Sequence, residues 1–178
     1  MDAGIISHRY AKAIFQFAAE RKEEDRLRKE LSFLSKQFIS VPRLSKTLDD
    51  PTVSPDVKIK LLTTAAGQDI SDTCDKAIRL IVKNKRTQYI QNIALMYDKV
   101  YREEKDLIIM KLVTTEPASD EVKGKLVDLV KKHSNQVEFV TTVDKDMIGG
   151  FIVEIDDMRL DASVRNILKQ LRLELIHS

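Results

Sequence analysis

The sequence predicts a mainly α-helical protein: an N-terminal six-helix bundle followed by a small α+β C-terminal domain in the order β-α-β-β-α. Three observations carry this expectation. Apolar residues recur at helical spacing from residue 5 to about 105. At Asp106 the period changes to that of short apolar and alternating runs. Gly (5) and Pro (4) are scarce among 178 residues, so few positions favour breaking a helix.

The first helix holds Ile6, Tyr10, Ala13 and Phe17, which advance by steps of three and four. Leu27, Leu31, Leu34 and Phe38 repeat those steps in a second helix, with Arg26, Arg28, Lys29 and Glu30 between them. Val41-Pro42 interrupts the pattern, and a short third piece runs around Leu44 and Leu48 to Asp50-Pro51. Ser54-Pro55-Asp56 combines a capping hydroxyl, a proline suited to the first turn and an early carboxylate. The fourth helix therefore begins there, carries Val57, Leu61 and Leu62, and ends near Gly67. A fifth starts at Ser71 with Ala77, Ile78, Ile81 and Val82 and stops at Asn84-Lys85-Arg86, where cations suit the negative helix end. A sixth, from Thr87, presents Ile90, Ile93, Tyr97 and Val100.

Beyond the boundary, Leu107 to Val113 is short, apolar and partly β-branched, as in a covered strand. Thr114 to Ala118 turn the chain, and Ser119 is placed to cap a helix with Val122, Leu126, Leu129 and Val130. Val137 to Val143 alternates like a strand. Gly149-Gly150 leads into a third strand, Phe151 to Ile155. Asp156-Asp157 is read as a turn toward Leu160, and Ser163 as the cap of a last helix with Val164, Leu168, Leu171 and Leu175. The expected units are residues 1–105 and 106–178. They differ in charge, +5 for the first (20 Lys and Arg against 15 Asp and Glu) and −3 for the second (10 against 13).

Composition excludes several function classes. A net charge of +2 lacks the marked basic patch expected of a nucleic-acid binder. One cysteine, Cys74, permits neither an internal disulfide nor a zinc cluster and is read as a buried structural thiol. The start Met1-Asp2-Ala3-Gly4 has no signal-peptide pattern, and no run reaches the ~20 apolar residues of a membrane span. The expected protein is soluble and intracellular.

No phosphate-cradling glycine motif is present, so no cofactor is expected. His8, His133 and His177 lack metal-ligand spacing, and Cys74 has no evident base beside it. Asp144, Asp146, Asp156, Asp157 and Asp161 gather near the C-terminal strands without the alternation of a calcium loop. Turn and cap duty accounts for them, as a positive-φ turn or bulge accounts for Gly149-Gly150. The basic run Lys83 to Arg86 is read as a helix end. No catalytic, cofactor-binding or metal site is expected. What remains is a first helix with more apolar residues than one face needs, from Ile5 to Ala19. It is either a central buried helix or one wall of a groove for a partner helix.

Three stretches, in order, resemble the delta subunits of bacterial and chloroplast F-type ATP synthases, counterparts of the mitochondrial oligomycin-sensitivity-conferring protein. Arg9 to Phe15 is similar to the family's RYAxALF opening. Ile78 to Arg86 is similar to its fifth-helix segment ending in N-x-R. Val143 to Phe151, followed by Leu160-Asp161-Ala162-Ser163-Val164, is similar to D-x-x-x-x-GG and then I-D-x-S-V. Leu160 replaces the commoner Ile or Val, and Lys85 stands where many members carry glycine.

The resemblance implies a non-catalytic stator subunit of the proton-translocating enzyme, at the cytoplasmic face of the cell inner membrane and held there only through the complex. It implies that the first and fifth helices grip the N-terminal helix of an alpha subunit, through Tyr10, Ala13, Ile14, Phe17, Ile78, Arg79 and Val82. It further implies that the second domain, shaped by Gly149, Gly150, Asp161 and Ser163, holds the b subunits, with the last helix as docking surface. Two rival classes stay open at this point: a stand-alone helical adaptor or RNA-associated factor, and an enzyme built around the Asp144–Asp161 carboxylates.

Overall fold

A computed structural model describes residues 3–117, 123–124, 136–155 and 158–177. The chain separates into two compact units, Met1–Glu103 and Glu104–Ser178. It is mainly helical, with a small mixed sheet in the second unit.

The helices of the first unit are α1 (Ala3–Ala19), α2 (Glu24–Ser40), α3 (Pro42–Asp49), α4 (Pro55–Ala66), α5 (Asp72–Lys83) and α6 (Ile90–Glu104), the last preceded by a 3-10 turn at Thr87–Tyr89. Their ends follow local chemistry. The Ser54 hydroxyl accepts from the Val57 amide, Pro55 opens α4, and Gly67 ends it at φ 138°. The Ser71 hydroxyl accepts from the Cys74 amide at 3.1 Å and starts α5. At the other end of α5, Lys85 takes φ 55° while the Lys85 and Arg86 amides donate to the Val82 and Ile81 carbonyls. That closure resembles the left-handed caps usually given to glycine.

The core of this unit gathers Leu27 and Leu34, Leu62, Cys74, Ile78 and Ile81, and Ile93 and Tyr97. Phe15 sits with its ring centre 6.1 Å from that of Tyr97 and 6.2 Å from that of Tyr101, within the range of favourable aromatic pairs. One carboxylate lies inside. Buried Glu30 accepts from Arg26 Nε at 3.0 Å, from the Ser71 amide at 2.8 Å and from the Ser71 hydroxyl at 2.6 Å. It thereby ties α2 to the first turn of α5. Replacing Glu30 with Ala strands these donors, and removing one partner of a buried charged network costs about 3 kcal/mol. A lower denaturant midpoint for the helical unit, followed by circular dichroism, is the expected result; Glu30→Gln loses less.

In the second unit the strands are β1 (Leu107–Thr114), β2 (Gln136–Val143), β3 (Gly150–Ile155) and β4 (Met158–Ser163), followed by helix α7 (Val164–His177). The sheet order is β2-β1-β3-β4, with β1 parallel to β2 and antiparallel to β3, and β3 antiparallel to β4. Register puts Met110, Leu112 and Val153 on one face, where Ile108, Val137, Phe139 and Ile155 pack around them. On the other face Glu154 lies between Lys111 and Arg159, at 3.4 Å from each.

β4 corrects the sequence reading, which placed only a turn between Ile155 and the last helix. Met158-Arg159-Leu160-Asp161-Ala162 does alternate apolar and polar residues. Its run is short, and Asp and Arg are weak strand formers, so pairing with β3 decides the conformation. The helix expected from Ser119 lies outside the described residues except Lys123 and Gly124, which are helical, and the turn at Asp156-Asp157 lies wholly outside them.

Candidate helix-binding trough

α1 and α5 leave an open apolar trough of about 330 Å³ between them. From α1 it takes Ala13, Ile14 and Phe17; from α5 it takes Lys76, Ala77 and Leu80. Spacing explains both walls. Ala13 and Phe17 are one turn apart, as are Ala77 and Leu80, so each pair shares a face of its helix. Ile14 and Ala77 are buried and form the floor, while Leu80 is 45% exposed. The small Ala13 and Ala77 keep the channel wide enough for another backbone to come close.

The ends and rims are polar and internally satisfied. Arg21 lies over the Phe17 ring at 4.3 Å and donates to Asp72 at 3.1 Å. Lys76 also donates to Asp72, and this bond, before the charges of Lys76 and Arg21, holds the Asp72 carboxyl below its ordinary pKa. Arg79 is exposed and paired with Asp75 at 2.6 Å, which raises its pKa further. Near the other end, the Asn84 side-chain amide donates to the hydroxyl of half-buried Tyr10 at 3.0 Å.

Of the residues implied by resemblance, Ala13, Ile14 and Phe17 meet in the trough, with Tyr10 further along α1. Ile78 and Val82 are buried in the core rather than lining it, and Arg79 stands outside on α5. Lys76, Ala77 and Leu80 line the trough and are not among the residues implied by resemblance. The signal for them is the leucine left over on α5 once Cys74, Ile78, Ile81 and Val82 are assigned to the core stripe.

The second unit's marked residues also come together. Gly150 has φ 82°, and a side chain there would meet the Ala162 carbonyl. The Gly149 carbonyl accepts from the Val164 amide at 3.0 Å. Asp161 accepts from the Ser163 amide at 3.0 Å, and Ser163 accepts from the Asn166 amide at 3.2 Å, capping α7. The bonds to Ser163 hold the Asp161 carboxyl below the usual carboxylate range. On α7, Leu168, Leu171 and Leu175 repeat at helical steps and are all exposed.

Burial, with Glu30 next in effect, pushes the Cys74 thiol far above its ordinary pKa, so it stays protonated and is no nucleophile. Among the described residues no three His, Cys, Asp or Glu side chains are grouped to hold a metal, and no helix is long and apolar enough to cross a membrane.

A family model described as the ATP synthase delta (OSCP) subunit matches residues 6–175. A protein of Azobacteroides pseudotrichonymphae described as ATP synthase subunit delta is 44% identical, over 98% of this chain and 100% of its own length. One of Bacteroides thetaiotaomicron with the same description is 37% identical, over 99% of this chain and 96% of its own. A chain of the Toxoplasma gondii mitochondrial ATP synthase hexamer, seen by cryo-electron microscopy, superposes with a TM-score of 0.64. It covers 96% of this chain and 97% of itself at 21% identity, a likeness of fold.

Proposed function

Since the chain belongs to the ATP synthase delta (OSCP) subunit family, and is thus a non-catalytic peripheral-stalk subunit of that complex, we propose that it links the catalytic head to the membrane-anchored b subunits and resists rotor torque. The helical unit grips the N-terminal helix of an alpha subunit in the α1–α5 trough. The second unit holds b, with the exposed leucine stripe of α7 as the docking surface. Attachment is to the cytoplasmic side of the inner membrane, through the complex alone.

The trough is the observation that carries this reading. Torque must not turn the head, so the contact has to dissociate slowly. Differences in affinity among related complexes lie mainly in the off-rate, and desolvated apolar anchors dominate the energy. A trough floored by Ile14 and Ala77 and flanked by Phe17 and Leu80 supplies such anchors. Its neighbouring charges are already paired within the chain, so docking depends little on salt.

Tagged protein is expected to recover ATP synthase subunits from membranes. A chain ending at residue 105 is expected to keep binding an alpha-subunit N-terminal peptide and to lose b. Retention of b by the shortened chain overturns the division of labour; recovery of no synthase subunits overturns the stator role itself.

A further inference from the structure

A second recess, of about 460 Å³, opens on the helical unit between α2 and α4. Its apolar lining includes Phe33, Val41, Leu44, Val57 and Leu61. Phe33 is 48% exposed, and Val41 and Val57 are 46% exposed, so three large apolar side chains meet water around one hollow. Isolated exposed apolar residues are ordinary, but a contiguous group around a concavity marks a contact surface.

The charges around this recess differ from those of the α1–α5 trough. Lys60 lines it. Lys29 and Lys36 stand one turn before and one turn after Phe33, on the same face of α2. All three lysines are exposed, and none is ion-paired with a described residue. At the first trough, by contrast, the lining Lys76 is neutralised by Asp72, and Arg79 beside it by Asp75.

We propose that the α2–α4 recess is a second docking surface, selective for an amphipathic helix with leucine-sized residues on one face and carboxylates along its flanks. The apolar face of such a helix covers Phe33, Val57 and Leu61. The lysine stems lie along its sides, and the ammonium groups reach the flanking carboxylates. Apolar burial supplies most of the affinity. The three cations supply choice of partner and speed of encounter. Two helix sites on one unit would also strengthen each other by effective concentration when both guests belong to one assembly. The inference stands on the α2–α4 residues alone and survives if the α1–α5 trough proves empty.

The test uses the full chain, labelled with ¹⁵N, and two synthetic helical peptides with the same leucine stripe, one flanked by glutamates and the other by lysines. The glutamate peptide is expected to shift the amides of Phe33, Gln37, Leu61 and Ala65 and to bind about tenfold more tightly than the lysine peptide. The combined variant K29E/K36E/K60E is expected to reverse that preference. Val57→Glu, at a half-exposed position that leaves the core intact, abolishes the shifts of these four amides. Equal affinity for the two peptides, a preference untouched by the triple variant, or shifts confined to Ala13, Phe17 and Leu80 overturns the proposal.

Discussion

Ala13→Asp is expected to lower the affinity of the chain for an alpha-subunit N-terminal peptide by about 100-fold or more while the bundle stays folded. Ala13 is exposed and stands on the α1 wall of the trough. A guest helix lying there would strip water from the new carboxylate, and leaving a charge dry and unpaired costs several kcal/mol. Each 1.4 kcal/mol is roughly tenfold in affinity. The nearest cation in the lining, Lys76, is already bonded to Asp72, so rescue requires breaking an existing pair. The folded state loses only the difference in helix propensity, about 0.7 kcal/mol. Calorimetry reads the binding and circular dichroism the fold. Unchanged affinity in a folded variant would falsify the trough assignment.

Gly150→Ala unfolds the second unit at much lower denaturant and leaves the helical unit where it was. A Cβ at this position falls 2.3 Å from the Ala162 carbonyl oxygen and 3.0 Å from the Ser163 Cα. Both are backbone atoms of β4, paired with β3 through the register Gly150↔Ser163, and neither can swing aside as a side chain does. The φ of 82° adds strain that L residues avoid. Together the clash and the strain cost about 3 kcal/mol or more. The expected denaturation curve has two steps, with the early one absent from a chain ending at residue 105. Gly149→Ala meets only the Val164 side chain, at 3.2 Å, and shifts the midpoint less. A single unshifted transition for Gly150→Ala counts against this role of the glycine.

Much of the architecture was legible in the sequence because its punctuation acts locally. Ser54, Pro55 and Gly67 bound α4 through bonds and dihedral angles that need no distant partner. Ser71 does the same for α5. β4 was not legible, because a short run containing Arg159 and Asp161 becomes a strand only when β3 lies beside it. The trough was half legible. Its α1 wall follows from a helix with apolar residues to spare. The α5 wall depends on which stripe turns inward, and this was settled by packing against the other helices: Ile78 and Val82 went to the core and Ala77 and Leu80 to the trough. The buried Glu30 was not legible at all, since its partner Ser71 lies 41 residues away in the chain.

That carboxylate has a mechanical consequence. Glu30 belongs to α2, which adds nothing to the trough, yet it clasps the residue from which the α5 wall grows. Under the proposed role, tension applied by a guest along α5 would be handed through Ser71 to a neighbouring helix instead of peeling the first turn open. Rigidity under a steady pull is therefore shared by the helical unit, with a single buried acid as the rivet.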